Sequence, residues 1–591
     1  MSINSIRDDE SKISKSKIKT LLRLFKYLTI YVKEIVIVLL MMLVTIVIVL
    51  VNPLIIERAV DFHIANKDFN GLIKLGAFAV ILNIIYVVLV KLRMFIMARV
   101  SNEVLMTIRQ ELYSHIQKLS FKFFDNRPTG KILARIIGDV NSLKNVLSNS
   151  VTTLIPDFIT IVAVVTIMVV KNYKLALASL ISLPLLIVGM WLIQVYSHVR
   201  WQIHRSKSSN LTAFIHEYIS GIRIIQSFTA EEESMDGFKQ LVKEHRKSFV
   251  DAVLLSDAFG PVIDICWAIG TFALYYIGVN MIGREAVPIG TLIAFGYYIS
   301  MFWRPIMNLS NFYNQLVTNV SAAERIFEIM DTPVDIFSSD DAIILEDIKG
   351  DVRFENVTFS YDDKTKVLDN VSFHVKPGET IALVGPTGAG KTTIINLISR
   401  FYENEEGNIY IDGHNIKDIA LESLREQMGV MTQDNFLFTG TIKDNIRYGK
   451  LDASDEEIIN AAKAVNAHDF IMKLENGYDT KLQERGIGLS IGQRQLIAFA
   501  RTMVSMPRIL ILDEATSSID TQTEILVQKG IDVLLKGRTS FVIAHRLSTI
   551  EKADRIFVID DGIIKEEGSS KELLEKKGLY YDLYMAQFKN M

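Results

Sequence analysis

From Ile35 to Ile56 the chain is apolar except for Thr45, Asn52 and Pro53. As a helix those 22 residues reach about 33 Å, enough for a hydrocarbon core of roughly 30 Å. A buried helix of a soluble protein rarely stays apolar on every face for so long, so the run predicts a membrane span. Five further runs of this kind lie at about 72–90, 151–170, 174–195, 258–282 and 288–312. Only Lys171-Asn172-Tyr173-Lys174 parts the third from the fourth, which predicts a tight helical hairpin. The fifth and sixth are parted by Gly283-Arg284-Glu285-Ala286-Val287. About 60 residues separate the second run from the third, and the fourth from the fifth. Both long connectors read as helix, so the spans are expected to continue well out of the bilayer.

Charge placement orients these spans. The 91–150 connector carries Lys91, Arg93, Arg99, Arg109, Lys118, Lys122, Arg127, Lys131, Arg135 and Lys144. The 196–256 connector carries Arg200, Arg205, Lys207, Arg223, Lys239, Lys243, Arg246 and Lys247. The three opposite loops hold one or two each, so the connectors and both termini are expected in the cytoplasm of a multi-pass protein of the cell membrane. Polar groups within spans are candidate functional positions. Asp157 reads as an interfacial residue. Asp264, with Cys266, Trp267 and Asn280 on the same helix, faces either a translocation cavity or the cytoplasmic end.

After Asp331 the apolar runs shorten. Residues 331–350 look like an acidic linker, with Asp335, Asp340 and Asp341 solvated. Val352-Arg353-Phe354 and Val357-Thr358-Phe359 alternate like strands, and Ile381 to Val384 reads as a buried strand. Composition sharpens the division. Hydrophobic residues make up 49% and charged residues 22% of 591 residues. A mean hydropathy of +0.26 with that many charges fits apolar runs gathered in one half. The net charge of −3 is too balanced for a nucleic-acid binder. The single cysteine, Cys266, rules out an intramolecular disulfide and a Cys-rich metal cluster.

The buried strand leads into Gly385-Pro386-Thr387-Gly388-Ala389-Gly390-Lys391-Thr392-Thr393, a full G-x-x-x-x-G-K-[ST] match. Its glycines let backbone N–H groups turn inward around phosphate oxygens. Lys391 supplies charge to the β/γ-phosphates, and Thr392 a hydroxyl for Mg²⁺. The helix expected from Thr392 to Ser399 adds its N-terminal dipole. A second buried strand, Ile509 to Leu512, ends in Asp513-Glu514: one acid to order the magnesium shell, one to polarise an attacking water.

Between them stands Leu489-Ser490-Ile491-Gly492-Gln493, and with it the chain resembles the ATP-binding cassette (ABC) transporters, whose signature is LSGGQ. Tyr361 resembles the aromatic that stacks on adenine, Gln433 the Q-loop glutamine that joins the magnesium site, and His545 the switch histidine. Glu484-Arg485-Gly486 resembles the X-loop of exporters and Ser518-Ile519-Asp520 the D-loop. The stretches 123–140 and 214–228 resemble the two coupling-helix regions of an exporter. The resemblance implies a six-span helical transmembrane domain fused to an α/β P-loop nucleotide-binding domain. The expected organisation is a cytoplasmic segment 1–33, a transmembrane domain 34–330, a linker 331–350 and a nucleotide-binding domain 351–591. It also implies ATP with Mg²⁺, the catalytic residues Glu514, His545 and Gln433, and a half-transporter working as a dimer in the bilayer. Ser490, Ile491, Gly492 and Gln493 then act on the partner's ATP. Ile491 departs from the family's glycine. A β-branched residue resists φ > 0, and its bulk would stand beside nucleotide. That favours a heterodimer whose partner has a regular signature and a weakened second acid, with a tolerant homodimer as the alternative.

The spans argue against a soluble ATPase, and an importer would keep its nucleotide subunit on a separate chain. The protease domain of a peptide exporter is not expected, given the short Lys-rich stretch before Glu34. A channel on the same fold stays open. The expected cargo is an amphipathic or hydrophobic compound, with a lipid flippase as the nearest rival.

Overall fold

The computed structural model describes residues 17–125, 127–282, 287–339, 341–362, 365–432, 435–513, 521–544 and 547–588. Its contacts divide the chain into two units. One combines the residues up to 116 with 130–331, and the other combines 117–129 with 332 onward.

The first unit is helical. In chain order the helices before the first strand are α1 (Lys17–Lys26), α2 (Val32–Arg58), α3 (Phe69–Ile116), α4 (Phe121–Asp125), α5 (Thr129–Leu133), α6 (Val140–Asn149), α7 (Ile155–Lys171), α8 (Tyr173–Ser179), α9 (Leu183–Ser220), α10 (Ile222–Ser227), α11 (Glu231–Asp257), α12 (Phe259–Ile282) and α13 (Ile289–Met330), of which α4 belongs to the second unit. The 48 residues of α3 reach about 72 Å, over twice a bilayer core. The long connectors are thus helical, as their sequence predicts. Asn172 makes the expected hairpin. Its backbone turns to φ −160°, ψ 104°, and its side chain accepts from the N–H groups of Lys174 and Leu175 at 3.0 and 3.2 Å. One residue therefore ends α7 and caps α8.

Five runs among the described residues are long and apolar enough to cross a membrane: Ile18–Ile64, Phe69–Ile116, Thr129–Lys171, Tyr173–Ser220 and Glu231–Met281. The sixth, expected over 288–312, forms a continuous helix inside α13 but is not among them. Tyr297, Tyr298, Ser300, Trp303 and Arg304 dilute its apolar content.

The core of this unit gathers Val164 and Met168 of α7, Leu186 of α9, Ile263, Cys266 and Leu274 of α12, and Phe295, Tyr298 and Trp303 of α13. Polar ties supplement it. Tyr298 donates to the carbonyl of Leu50 at 3.0 Å. Glu57, at the end of α2, accepts from Lys171 at 2.5 Å and from Thr291 at 2.9 Å. Asp61 accepts from the Gly290 N–H at 2.6 Å. Asp157 is half-buried in the first turn of α7, Asp264 is exposed on α12, and Asn280 donates to its own helix at Tyr276.

The second unit is built on strands β1 (Val352–Ser360), β2 (Lys366–Val375), β3 (Thr380–Val384), β4 (Glu406–Ile411), β5 (His414–Asn415), β6 (Met428–Met431), β7 (Gly440–Thr441), β8 (Lys481–Leu482), β9 (Ile509–Asp513), β10 (Thr539–Ile543), β11 (Arg555–Asp560) and β12 (Ile563–Gly568). The main sheet runs β12-β11-β3-β10-β9-β6, parallel except at β12, and a second sheet runs β2-β1-β4-β5. The two stretches expected as separate strands form one, β1, kinked by register shifts around Asn356 at φ +53°. α14 (Lys391–Ile398) follows β3, starting one residue before its expected position.

The acidic segment after Thr332 is laid onto this unit. Ile343 pairs with Ile419, and Asp335, expected to be solvated only, accepts from Ser120. Arg400, 3% exposed, anchors the segment by donating to the carbonyls of Phe337 and Ile419 and to Glu403. Arg400→Met removes the four bonds to these three partners and leaves the buried Ile419 carbonyl unmatched. It should lower the unfolding temperature of this unit by about 6–10 °C in calorimetry of the full chain.

Candidate functional site

Three strands of the main sheet set the site. β10 lies between β3 and β9, and the parallel register matches Ile543 with Leu383 on one side and with Asp513 on the other. The G-x-x-x-x-G-K-[ST] loop leaves β3 one residue after Val384, and Asp513 closes β9. Both therefore emerge at the carboxyl edge of one sheet, where open α/β folds place ligands.

The loop is shaped by glycine. Gly385 has φ +155°, and a Cβ there would stand 2.0 Å from the Ile559 carbonyl. Gly390 has φ +109°, and a Cβ would meet Leu368 at 2.7 Å and the Val367 carbonyl at 3.0 Å. With Pro386, Thr387, Gly388 and Ala389 between them, the backbone curls over the start of α14, where Lys391, Thr392 and Thr393 form the first turn. No side chain caps that helix among the described residues, so its first N–H groups and dipole point at the loop. Lys391 arches back to donate to the carbonyls of Gly385 and Pro386 at 2.7 and 2.8 Å. Burial pulls its ammonium below the usual lysine range, and nearby Asp513 offsets part of that shift. A threonine hydroxyl, a carboxylate and a lysine around a curled backbone are hard oxygen and cationic groups, a donor set suited to a phosphate chain with Mg²⁺.

Tyr361 stands beside α14. Its hydroxyl lies 3.2 Å from that of Thr393, and Asn396 donates to it at 3.4 Å. The residue is 36% exposed, and its ring forms T-shaped contacts with Phe359 and Tyr402 at 4.8 and 5.1 Å. Phe359, Asn396 and Tyr402 are missed in the sequence analysis. The available signal is the bulky Arg400-Phe401-Tyr402 directly after α14.

Ser490 and Gln493 form a capping box. The serine hydroxyl accepts from the Gln493 N–H at 3.2 Å, and the Gln493 side chain accepts from the Ser490 N–H at 2.9 Å. Ile491 and Gly492 are thereby the first two residues of the helix Ile491–Ser505. Ile491 is absent from the residues with positive φ, which corrects the backbone half of the expectation for this position. An N-capped first residue has ordinary helical dihedrals, which isoleucine adopts freely. The side chain remains 44% exposed at the tip of the helix. Arg485 and Gly486 turn with φ +57° and +67°. Gln433, Glu514, Ser518, Ile519, Asp520 and His545 lie outside the described residues.

A family model described as the ABC transporter transmembrane region matches residues 35–306, and one described as ABC transporter matches 368–517. An ATP-dependent lipid A-core flippase of Syntrophus aciditrophicus is 40% identical over 84% of this chain and 82% of its own length. The chain belongs to the ABC transporter family. A putative multidrug export ATP-binding/permease protein of Staphylococcus aureus is 36% identical over 90% of this ABC chain and 94% of its own. Among solved structures, a bacterial Atm1-family ABC exporter with ATP bound superposes with a TM-score of 0.79. It shares 29% identity over 94% of this chain and 98% of that one. This ABC protein is thus of exporter type: a multi-pass membrane protein that binds ATP and couples its hydrolysis to transport.

Two outcomes follow from the local geometry. Gly390→Val forces a side chain against β2 from a left-handed backbone. It should abolish nucleotide binding, measured by equilibrium binding to the full chain. Ser490→Ala removes the cap, about 1 kcal/mol, and should speed exchange of the Gln493 amide about fivefold in hydrogen-exchange mass spectrometry.

Proposed function

We propose that this chain is one half of a dimeric exporter that uses ATP to move amphipathic or hydrophobic compounds across the cell membrane by alternating access. The observation that carries this is the shared sheet edge: the curled loop, Lys391, Thr392 and Asp513 converge in a chain that also supplies long apolar helices. Residues 1–33 are a cytoplasmic segment, 34–330 a six-helix transmembrane domain, 331–350 a linker and 351–591 the nucleotide-binding domain, with both termini cytoplasmic. Tyr361 carries the adenine. Gly385, Pro386, Thr387, Gly388, Ala389, Gly390, Lys391, Thr392 and Thr393 wrap the phosphates with N–H groups, hydroxyls and one cation. Thr392, Gln433 and Asp513 would hold Mg²⁺, which when bound would neutralise phosphate charge. Glu514 would orient the attacking water with Gln433 as its helper, and His545 would offset charge at the γ-phosphate. The substrate class draws on the relatives named for lipid and drug export, since both kinds of cargo are amphipathic.

Ser490, Ile491, Gly492 and Gln493 face the ATP of a second half-transporter. The exposed Ile491 side chain at the helix tip supports a heterodimer whose other subunit has the regular glycine. The helical backbone at that position favours a second reading, a homodimeric lipid flippase or exporter that tolerates the isoleucine.

The test is ATPase activity and mass of the full chain in lipid nanodiscs, with Glu514→Gln as the reference. Alone, the chain should be a monomer, or a dimer without turnover that Glu514→Gln can remove. A dimer whose turnover falls at least about 100-fold with Glu514→Gln would instead establish the homodimer. In proteoliposomes of an active assembly, Lys391→Ala should abolish ATP-dependent flux of both labelled drug and labelled lipid. Whichever flux the intact assembly supports identifies the cargo class.

A further inference from the structure

Beside Tyr361 lies a set of contacts that phosphate chemistry does not need. The Tyr402 ring stands edge-on to Tyr361, with centroids 5.1 Å apart and planes at 88°. Its hydroxyl donates to the carboxylate of Asp125, the last residue of α4, across 277 positions of sequence. Burial and the Asp125 carboxylate both push the Tyr402 hydroxyl well above the usual tyrosine range, so it keeps its proton and remains a donor. A cavity of about 190 Å³ borders both rings, lined in part by Ser120, Lys122 and Glu403. Tyr402 packs against the core of this unit and against Phe359 on one side, and on the cavity side the bond to Asp125 holds its hydroxyl. α4 has its own attachment: Phe121 meets Phe401 at 4.6 Å, and the Arg425 guanidinium lies 5.4 Å over Phe401. The tether is thus separable from the seating of the helix.

We infer that Tyr402 is a positioning residue that holds the Tyr361 ring at the angle a nucleobase needs, with Asp125 setting Tyr402. Tyr361 bonds to α14 through its hydroxyl and meets the Tyr402 ring in an edge-to-face contact. Releasing the Tyr402 hydroxyl frees that contact and weakens binding of the base while leaving the phosphate loop untouched. The inference rests on Tyr361 carrying the adenine.

The experiment is calorimetric titration of the full chain in nanodiscs with ATP and with inorganic tripolyphosphate, a phosphate chain that has no base. Tyr402→Phe keeps the ring and deletes the hydroxyl; Asp125→Ala deletes the acceptor on the other element. Each should weaken ATP binding about fivefold, the worth of one hydrogen bond, and leave tripolyphosphate within twofold of the unmodified chain. The double variant should bind ATP no more weakly than either single, because both remove the same bond. Tyr361→Ala is the reference and should weaken ATP alone. ATP affinity unmoved by Tyr361→Ala overturns both the adenine assignment and this inference. ATP affinity lost with Tyr361→Ala but kept with Tyr402→Phe and Asp125→Ala overturns only the inference. Equal weakening of ATP and tripolyphosphate, or additive effects of the two substitutions, also overturns it, since each means general loosening or separate roles.

Discussion

The site depends on the register of β10 against its two neighbours. Every residue of β10 is buried, so alternation of inward and outward side chains gives no preference between one register and the next. Thr539 supplies it. Its hydroxyl donates to the Gly350 carbonyl at 2.7 Å and accepts from the Gly378 N–H at 2.9 Å, while its own N–H reaches the Arg508 carbonyl. With the start of β10 pinned, Ile543 falls level with both Leu383 and Asp513. A slip of one residue would move the strand ends by about 3.3 Å, more than the length of a hydrogen bond.

What was legible in the sequence is what local chemistry forces. A phosphate loop needs glycine at Gly385 and Gly390 because other backbone and side chains crowd those positions. An asparagine between two apolar runs can end one helix and cap the next. The spacing of Ser490 and Gln493 carried the information that places Ile491 in ordinary helix, since S-x-x-Q is a capping box. Tyr402 was illegible for another reason: its partner Asp125 lies in the other half of the chain, and only the fold brings them together. The helix expected over 288–312 forms within α13, where polar residues serve contacts within the bundle, as Tyr298 does with Leu50, at the expense of apolar content.

The helical unit illustrates how spans with little sidedness are told apart. Apolar surface cannot rank one neighbour above another when lipid is as apolar as the helices themselves. Directional bonds can. Asn52 and Asn83 exchange bonds at 3.3 Å between α2 and α3, and Glu57 and Asp61 tie the end of α2 to those of α7 and α13. These few polar groups specify which helices meet.

Residues 117–129 belong with the nucleotide-binding unit although they are encoded between two long helices of the other unit. The chain therefore enters that unit, leaves it and returns. A fragment beginning at 332 would lack Phe121 against Phe401 and Asp125 against Tyr402. The order of segments in the gene is not the order of folding units, and the second unit cannot be completed during synthesis until both of its pieces have been made.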